Sequence, residues 1–265
     1  MKKYLALTNI GILEKLNFRA GIYIHLAGNF IYLILTYYLW KAIYLSSGTE
    51  YINGMSFFDT MLYLVFASVI STIMGSRVVW WMGLDYQSGQ VSIDLLKPMN
   101  YLVYWFFFES GEYIVSAVTL FIPMFCAVCV ITQGTVVIGV NVIYFGISLL
   151  FSIFINYFID FMIGIVCFYT QSIWGINIMK EIVISLLSGA SIPLFFFPDA
   201  LRIFCRYLPF QYIYNTPLTI LLSRESRMAD YVKLLFIQLM WVIITGLAAG
   251  LVWKRSQKRI NVNGG

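Results

Sequence analysis

Residues 231–253 read YVKLLFIQLMWVIITGLAAGLVW and run straight into Lys254-Arg255, with Lys233 the only charge inside the run. As a helix the run reaches about 34 Å, enough to cross the ~30 Å hydrocarbon core of a bilayer. A helix apolar on every side belongs either in a large protein core or in lipid. The rest of the chain decides between these. Of 265 residues, 61% are hydrophobic and 11% charged, and the mean hydropathy is +0.84. A soluble domain of this length needs far more charge on its surface. The sequence therefore reads as an all-α polytopic membrane protein, one transmembrane domain over 1–265, with six spans near 21–45, 57–77, 101–131, 135–170, 175–197 and 231–253.

Charge sets the expected orientation. Lys2, Lys3, Lys15 and Arg19 precede the first span, and Lys254, Arg255, Lys258 and Arg259 follow the last. An even number of spans puts both termini on one side, and the positive-inside rule makes that side the cytoplasm. Arg77, Lys97 and Lys180 fall inside on the same threading, whereas Arg202, Arg206, Arg224 and Arg227 fall outside, against the trend. The net charge of +5 is accounted for by this bias, so nucleic acid is not an expected partner. Lys2 and Lys3 are followed by a mixed segment, not by the compact apolar core of a cleavable signal peptide.

Three segments break the pattern of spans. In the N-terminal stretch 1–20, Leu5, Leu7, Ile10, Ile12, Leu13 and Leu16 alternate at helical spacing with Thr8, Asn9, Glu14 and Lys15. That suits an amphipathic helix on the inner membrane surface, either a plain anchor or an elbow that also touches a cytoplasmic partner. Segment 83–100 is the most polar inner loop, and it contains Asp85 and a turn at Gly89. A short helix is expected from Val91 to Lys97, with Leu95 and Leu96 on one face and Pro98 as its stop. Segment 189–222 holds Pro193, Pro198, Pro209 and Pro217, four of the chain's six prolines, among Phe, Tyr and Leu. So many prolines exclude one continuous helix, yet the segment is too apolar for a solvated loop. It reads as a broken, re-entrant pair of short helices in the outer leaflet, or as an aromatic loop packed on the outer surface.

Carboxylates in hydrocarbon are costly and need partners. Glu109 and Glu112 share a helix face in the third span and Asp160 lies in the fourth, with Arg77 or Lys180 within expected reach. They read as an internal polar network, or as the lining of an inward-open cavity. His25, the single histidine, reads as an interfacial hydrogen-bonding residue or a proton carrier. Cys126 and Cys129 are spaced C-x-x-C, but no second pair or histidine cluster completes a metal site, and no metal or cofactor is expected. Gly246-x-x-x-Gly250 allows close helix packing, within the subunit or between subunits.

Taken together, the six spans, the loop Ser88-Gly89-x5-Leu95-Leu96-Lys97-Pro98 and the outer pattern Leu208-Pro209-Phe210-x-Tyr212-x4-Pro217 resemble permease subunits of type-2 ABC exporters over nearly the whole chain. The resemblance implies that Gly89 to Pro98 is a coupling helix seated in an ATPase subunit, with Asp85, Val91, Leu95, Leu96 and Lys97 in or beside the contact. It implies that Gly189 to Pro217 is the outer re-entrant element, including Phe210 and Tyr212. No G-x-x-x-x-G-K-[ST] loop occurs in the sequence, so ATP is expected to be bound by a separate subunit. A second permease, identical or related, is implied, as is residence in a bacterial cytoplasmic membrane. Two other classes make different demands on the sequence. An ion-coupled secondary transporter would use residues such as Asp160 but usually shows inverted repeats. A membrane enzyme needs a convergent catalytic cluster. With 18% aromatic residues, the expected cargo is amphipathic or hydrophobic, and the resemblance points to lipids, peptides or drugs.

Overall fold

The computed structural model describes residues 2–17, 19–131, 139–170, 173–223 and 228–257. Arg224, Arg227, Lys258 and Arg259 lie outside the described residues, as do the side chains of Arg19 and His25. Among the described residues, five helical stretches are long and apolar enough to cross a membrane: Ala20–Ser47, Phe57–Gln87, Tyr101–Val130, Val140–Thr170 and Met228–Ser256. The expected span 175–197 is instead a shorter helix, Trp174–Leu187, ended by a turn in which Gly189 takes φ +82°. About 21 Å long, it falls short of the full hydrocarbon thickness.

In chain order the helices are α1 (Lys2–Asn17), α2 (Arg19–Ser47), α3 (Phe57–Met74), α4 (Val78–Gln87), α5 (Gln90–Leu95), α6 (Tyr101–Ser116), α7 (Ile122–Ile131), α8 (Val140–Thr170), α9 (Trp174–Leu187), α10 (Asp199–Arg206), α11 (Asn215–Leu222) and α12 (Met228–Ser256). A two-residue β-hairpin, Tyr51–Ile52 with Met55–Ser56, leads into α3. Ser56 caps α3: its Oγ accepts from Asp59 N at 3.1 Å, while Asp59 accepts from Ser56 N at 3.4 Å.

Each irregularity has a local cause. The second span breaks at Gly75–Arg77 between α3 and α4. The carbonyl of Met74 freed by that break accepts from Asn156 Nδ2 of α8 at 3.1 Å, as a carbonyl in a dry interior must. The third span passes from α6 to α7 through a π-helical turn, Ala117–Phe121, just before Pro123, which has no N–H to continue the α ladder. In the outer-reading segment, Pro193, Pro198 and Pro209 each stand immediately before a short helix and Pro217 lies in the first turn of α11. Proline is tolerated at such starts because those N–H groups have no helical partner anyway.

α8 is the central helix, packed on α12, α4 and α11. Its buried residues Ser148, Ser152, Asn156 and Asp160 recur every fourth position and form a polar stripe inside the bundle. Gln238 of α12 closes on the stripe. Its Nε2 donates to the carbonyls of Ser148 (2.8 Å) and Tyr212 (2.9 Å), and its Oε1 accepts from Ser148 Oγ (2.8 Å). Two apolar cores flank the stripe. One gathers Tyr63, Phe66, Ile213 and Leu218 near α11, and the other gathers Val78, Met82, Tyr101, Tyr157 and Trp253 near α5. Of the two glycines in α12, Gly246 packs on Phe158, where an added Cβ would sit 3.0 Å from the ring, and Gly250 faces open space.

Candidate functional site

The loop from Gly83 to Asn100 is held from below and bare on top. Gly89 takes φ +75°, a left-handed conformation suited to glycine, and turns the chain from α4 into α5. α5 covers Gln90–Leu95 and stops three residues before Pro98, whereas Val91 to Lys97 was expected. Val91 is buried in the core around Trp105 and Tyr157 and anchors the helix. Asp94, also buried, pairs with Lys97 at 2.7 Å and accepts from Gln90 Nε2 at 3.4 Å. Lys97 also stands 4.6 Å over the Tyr104 ring. Burial works against the Lys97 charge, but the bond and charge of Asp94 outweigh it and hold its pKa above the ordinary lysine value. Lys3 of α1 donates to the Pro98 carbonyl at 2.9 Å, and Asp85 is half-buried on α4. What remains outward is a ridge of Ile93 (56% exposed), Leu95 (40%) and Leu96 (84%). Ile93, Asp94 and Lys3 were not singled out from the sequence. Ile93 follows Val91 by two positions, a spacing that sends the two to different sides of a helix.

The charged groups form two knots. In the first, Glu112, 2% exposed, takes a forked contact from Arg77, with Nε to Oε2 at 3.1 Å and Nη2 to Oε1 closer still. Lys15 of α1 is 3.4 Å from Glu112, and Glu14 is 3.8 Å from Arg77. Burial raises the Glu14 pKa, and the nearby Arg77 charge offsets this only partly. In the second knot, Lys180 lies 2.9 Å from Asp160 and 2.7 Å from Glu181, while Asn156 Nδ2 donates to Asp160 at 2.9 Å. Glu109 is fully buried within electrostatic reach of Glu112 and Asp160, and neither of its oxygens has a hydrogen-bond partner among the described residues. Among the described residues no group of three His, Cys, Asp or Glu side chains could hold a metal.

The apolar side chains of α1 were expected to lie against the membrane surface. Leu5, Ile10, Leu13 and Leu16 are exposed, while α1 docks on α6 through Leu7, Gly11 and the polar residue Thr8. Thr8 Oγ1 donates to the Phe107 carbonyl at 3.0 Å.

At the other end, Pro193, Pro198, Pro209, Phe210, Tyr212 and Pro217 belong to a segment folded back onto the bundle. Asn215 N donates to the Ser188 carbonyl at 3.2 Å, and the Tyr212 carbonyl accepts from Ser152 Oγ and Gln238 Nε2, both at 2.9 Å. Non-helical backbone is thus satisfied by protein, the condition for its presence at membrane depth. Leu201, Ile203, Phe204 and Tyr207 of this segment are exposed.

A multi-pass helical membrane protein, with a short anchored helix offering a bare apolar ridge at one end and a proline-segmented fold-back at the other, has the construction of a transporter's membrane component. Residues 30–264 match the model of the ABC-2 family transporter proteins, and the chain belongs to that family. It is a permease-type membrane component of an ABC transporter, a family whose members work with an ATPase partner. Comparison with curated protein sequences finds no match.

Proposed function

We propose that this chain is the transmembrane subunit of an ATP-driven exporter of amphipathic or hydrophobic compounds. It works with a second permease, identical or homologous, in a bacterial cytoplasmic membrane. It binds no cofactor of its own, and ATP is bound and hydrolysed by the partner. On this reading α9 with the turn after it is the fifth of six crossings, both termini are cytoplasmic, and 189–222 is a re-entrant element in the outer leaflet. Glu109, Glu112, Asp160 and Arg77 form an internal polar network across α6, α8 and the start of α4.

One observation carries the proposal: Ile93, Leu95 and Leu96 are exposed together on a short helix that Val91 and the Asp94–Lys97 pair fasten to the bundle. Apolar side chains this exposed at a polar loop call for a protein partner, and a helix fastened in this way can transmit a push from that partner. Asp85, Gly89 and Pro98 shape the ends of the segment.

The test is affinity purification of the chain from its native membrane. An ATP-hydrolysing subunit is expected to accompany the wild type and to be lost on replacing Leu95 and Leu96 with Asp, while the variant still inserts and purifies. ATP-driven transport by the isolated chain would overturn the assignment.

A further inference from the structure

Between α2, α3 and α9 lies a cavity of about 330 Å³, within the range of small-molecule sites. Its wall mixes apolar residues such as Ala67 and Ile184 with a polar set: Asn29 from α2, Ser68 and Ser71 from α3, Glu181 and Ser185 from α9, and Ser191 from the turn that follows. Asn29 stands about 15 Å along α2, so this polarity lies at membrane depth. Polar groups there mark water or a ligand, since acyl chains gain nothing from amides and hydroxyls.

The wall is also rich in acceptors. Ser68 Oγ spends its proton on the Val65 carbonyl (2.9 Å) and Ser71 Oγ on the Ser68 carbonyl (2.7 Å), which leaves each oxygen as an acceptor. Asn29 donates through Nδ2 to the Ser68 carbonyl at 3.4 Å and keeps Oδ1. Charge points the same way. Behind the wall one ammonium, Lys180, serves two carboxylates, Asp160 and Glu181, and so leaves one unit of negative charge. Asp160 is fully buried, whereas the Glu181 side chain is 55% exposed, so the unneutralised charge is available at the cavity.

We infer that this cavity binds the protonated amine of an amine-bearing amphiphile, with Glu181 as its counter-ion and the serine and asparagine oxygens as acceptors. The binding follows from the cavity alone. That such amphiphiles are cargo rests on the export reading above.

Two fluorescent ligands separate the possibilities: a long-chain alkyl diamine bearing a dansyl group on one nitrogen, and the same molecule with its free amine acetylated. They are titrated against the purified chain in nanodiscs of neutral phosphatidylcholine. The free amine is expected to bind about fivefold tighter than its neutral twin, the size of one half-exposed ion pair. Glu181→Gln should abolish that preference, because Lys180 keeps Asp160. Glu181→Asp should retain part of it. Ser71→Leu, which fills the cavity, should weaken both ligands. Equal binding of the twins by the wild type, no saturable binding of either, or an undiminished preference in Glu181→Gln overturns the site. If Glu181→Gln fails to fold, as judged by size exclusion, the Glu181→Asp and Ser71→Leu titrations decide. Reconstitution with the ATPase separates the two readings. ATP-driven movement of both twins at equal rates keeps export and removes this cavity as the selector of cargo. A binding preference with no ATP-driven movement of either ligand keeps the site and removes export.

Discussion

Gly11 of α1 and Gly111 of α6 meet backbone to backbone. A Cβ on Gly11 would lie 2.2 Å from the Phe108 carbonyl oxygen, and one on Gly111 would lie 2.6 Å from Ile12 N. The crossing therefore exists only because neither residue has a side chain, and it brings Lys15 to Glu112 and Thr8 to Ser110. Gly111→Leu is expected to push α1 off α6 at a cost of about 1–3 kcal/mol, read as a lower thermal midpoint in detergent and faster proteolysis within α1. An unchanged midpoint and cleavage pattern would show that the helices are not joined here.

Arg77 and Glu112 should behave as a unit. Arg77→Ala leaves a carboxylate buried without its main partner, which costs about 3 kcal/mol, while Glu112→Gln keeps a hydrogen-bonding group and should cost less. The Arg77→Ala/Glu112→Gln double variant should cost well short of the sum of the two single changes. Strict additivity in denaturant titrations would mean that the pair is not coupled.

Glu14, beside the same knot, carries the opposite expectation. Burial raises its pKa, so the folded chain holds the Glu14 proton more tightly than the unfolded chain does. Stability linked to this group therefore falls as pH rises from the ordinary carboxylate value through the raised one, and stays lower above it. Glu14→Gln should flatten that part of the pH–stability curve and be nearly neutral otherwise. A steeper curve in the variant would contradict the sign.

Gln238→Leu should be among the costlier single changes in α12, because it takes the acceptor from the Ser148 hydroxyl and leaves the Tyr212 and Ser148 carbonyls to share the one hydroxyl proton of Ser152 in a dry interior. Each unsatisfied group costs about 1–3 kcal/mol. The fold-back should loosen first, detected as faster amide exchange over 209–222 than over α5. Uniform exchange in both regions would argue against Gln238 as its fastener.

Membrane orientation is open to labelling. In a cysteine-free background, Tyr207→Cys should react with an impermeant maleimide added outside intact cells, and Leu96→Cys only after lysis. Both positions are strongly exposed, at 77% and 84%. The reverse pattern would invert the topology proposed here.

Some of this was legible in residue order alone. Uniformly apolar runs such as 231–253 report a membrane span because every side of the helix faces lipid or packed protein, so composition carries the whole signal. Gly89 with Pro98 bounds a short helix because backbone conformation at those residues is local. The prolines of 189–222 likewise exclude one continuous helix without any tertiary information. The weak reading was 175–197. Its composition suits a span, but Gly189 ends the helix early, and hydropathy does not register where a chain turns.

What lies across the bundle required the fold. The α8 stripe at 148, 152, 156 and 160 is periodic in sequence, yet only packing shows that Gln238 and the Met74 and Tyr212 carbonyls close on it. The choice of Arg77 for Glu112 and Lys180 for Asp160 depended on which helices face each other. Gly11 and Gly111 stand a hundred residues apart, and nothing in either neighbourhood names the other. Hydrophobic transfer is a property of each segment by itself, so the sequence determined that the chain crosses the membrane and which polar or proline-rich segments interrupt the spans. Ion pairs, hydrogen bonds and close backbone contacts are properties of pairs, and for residues far apart in the chain only the tertiary structure decides which pairs form.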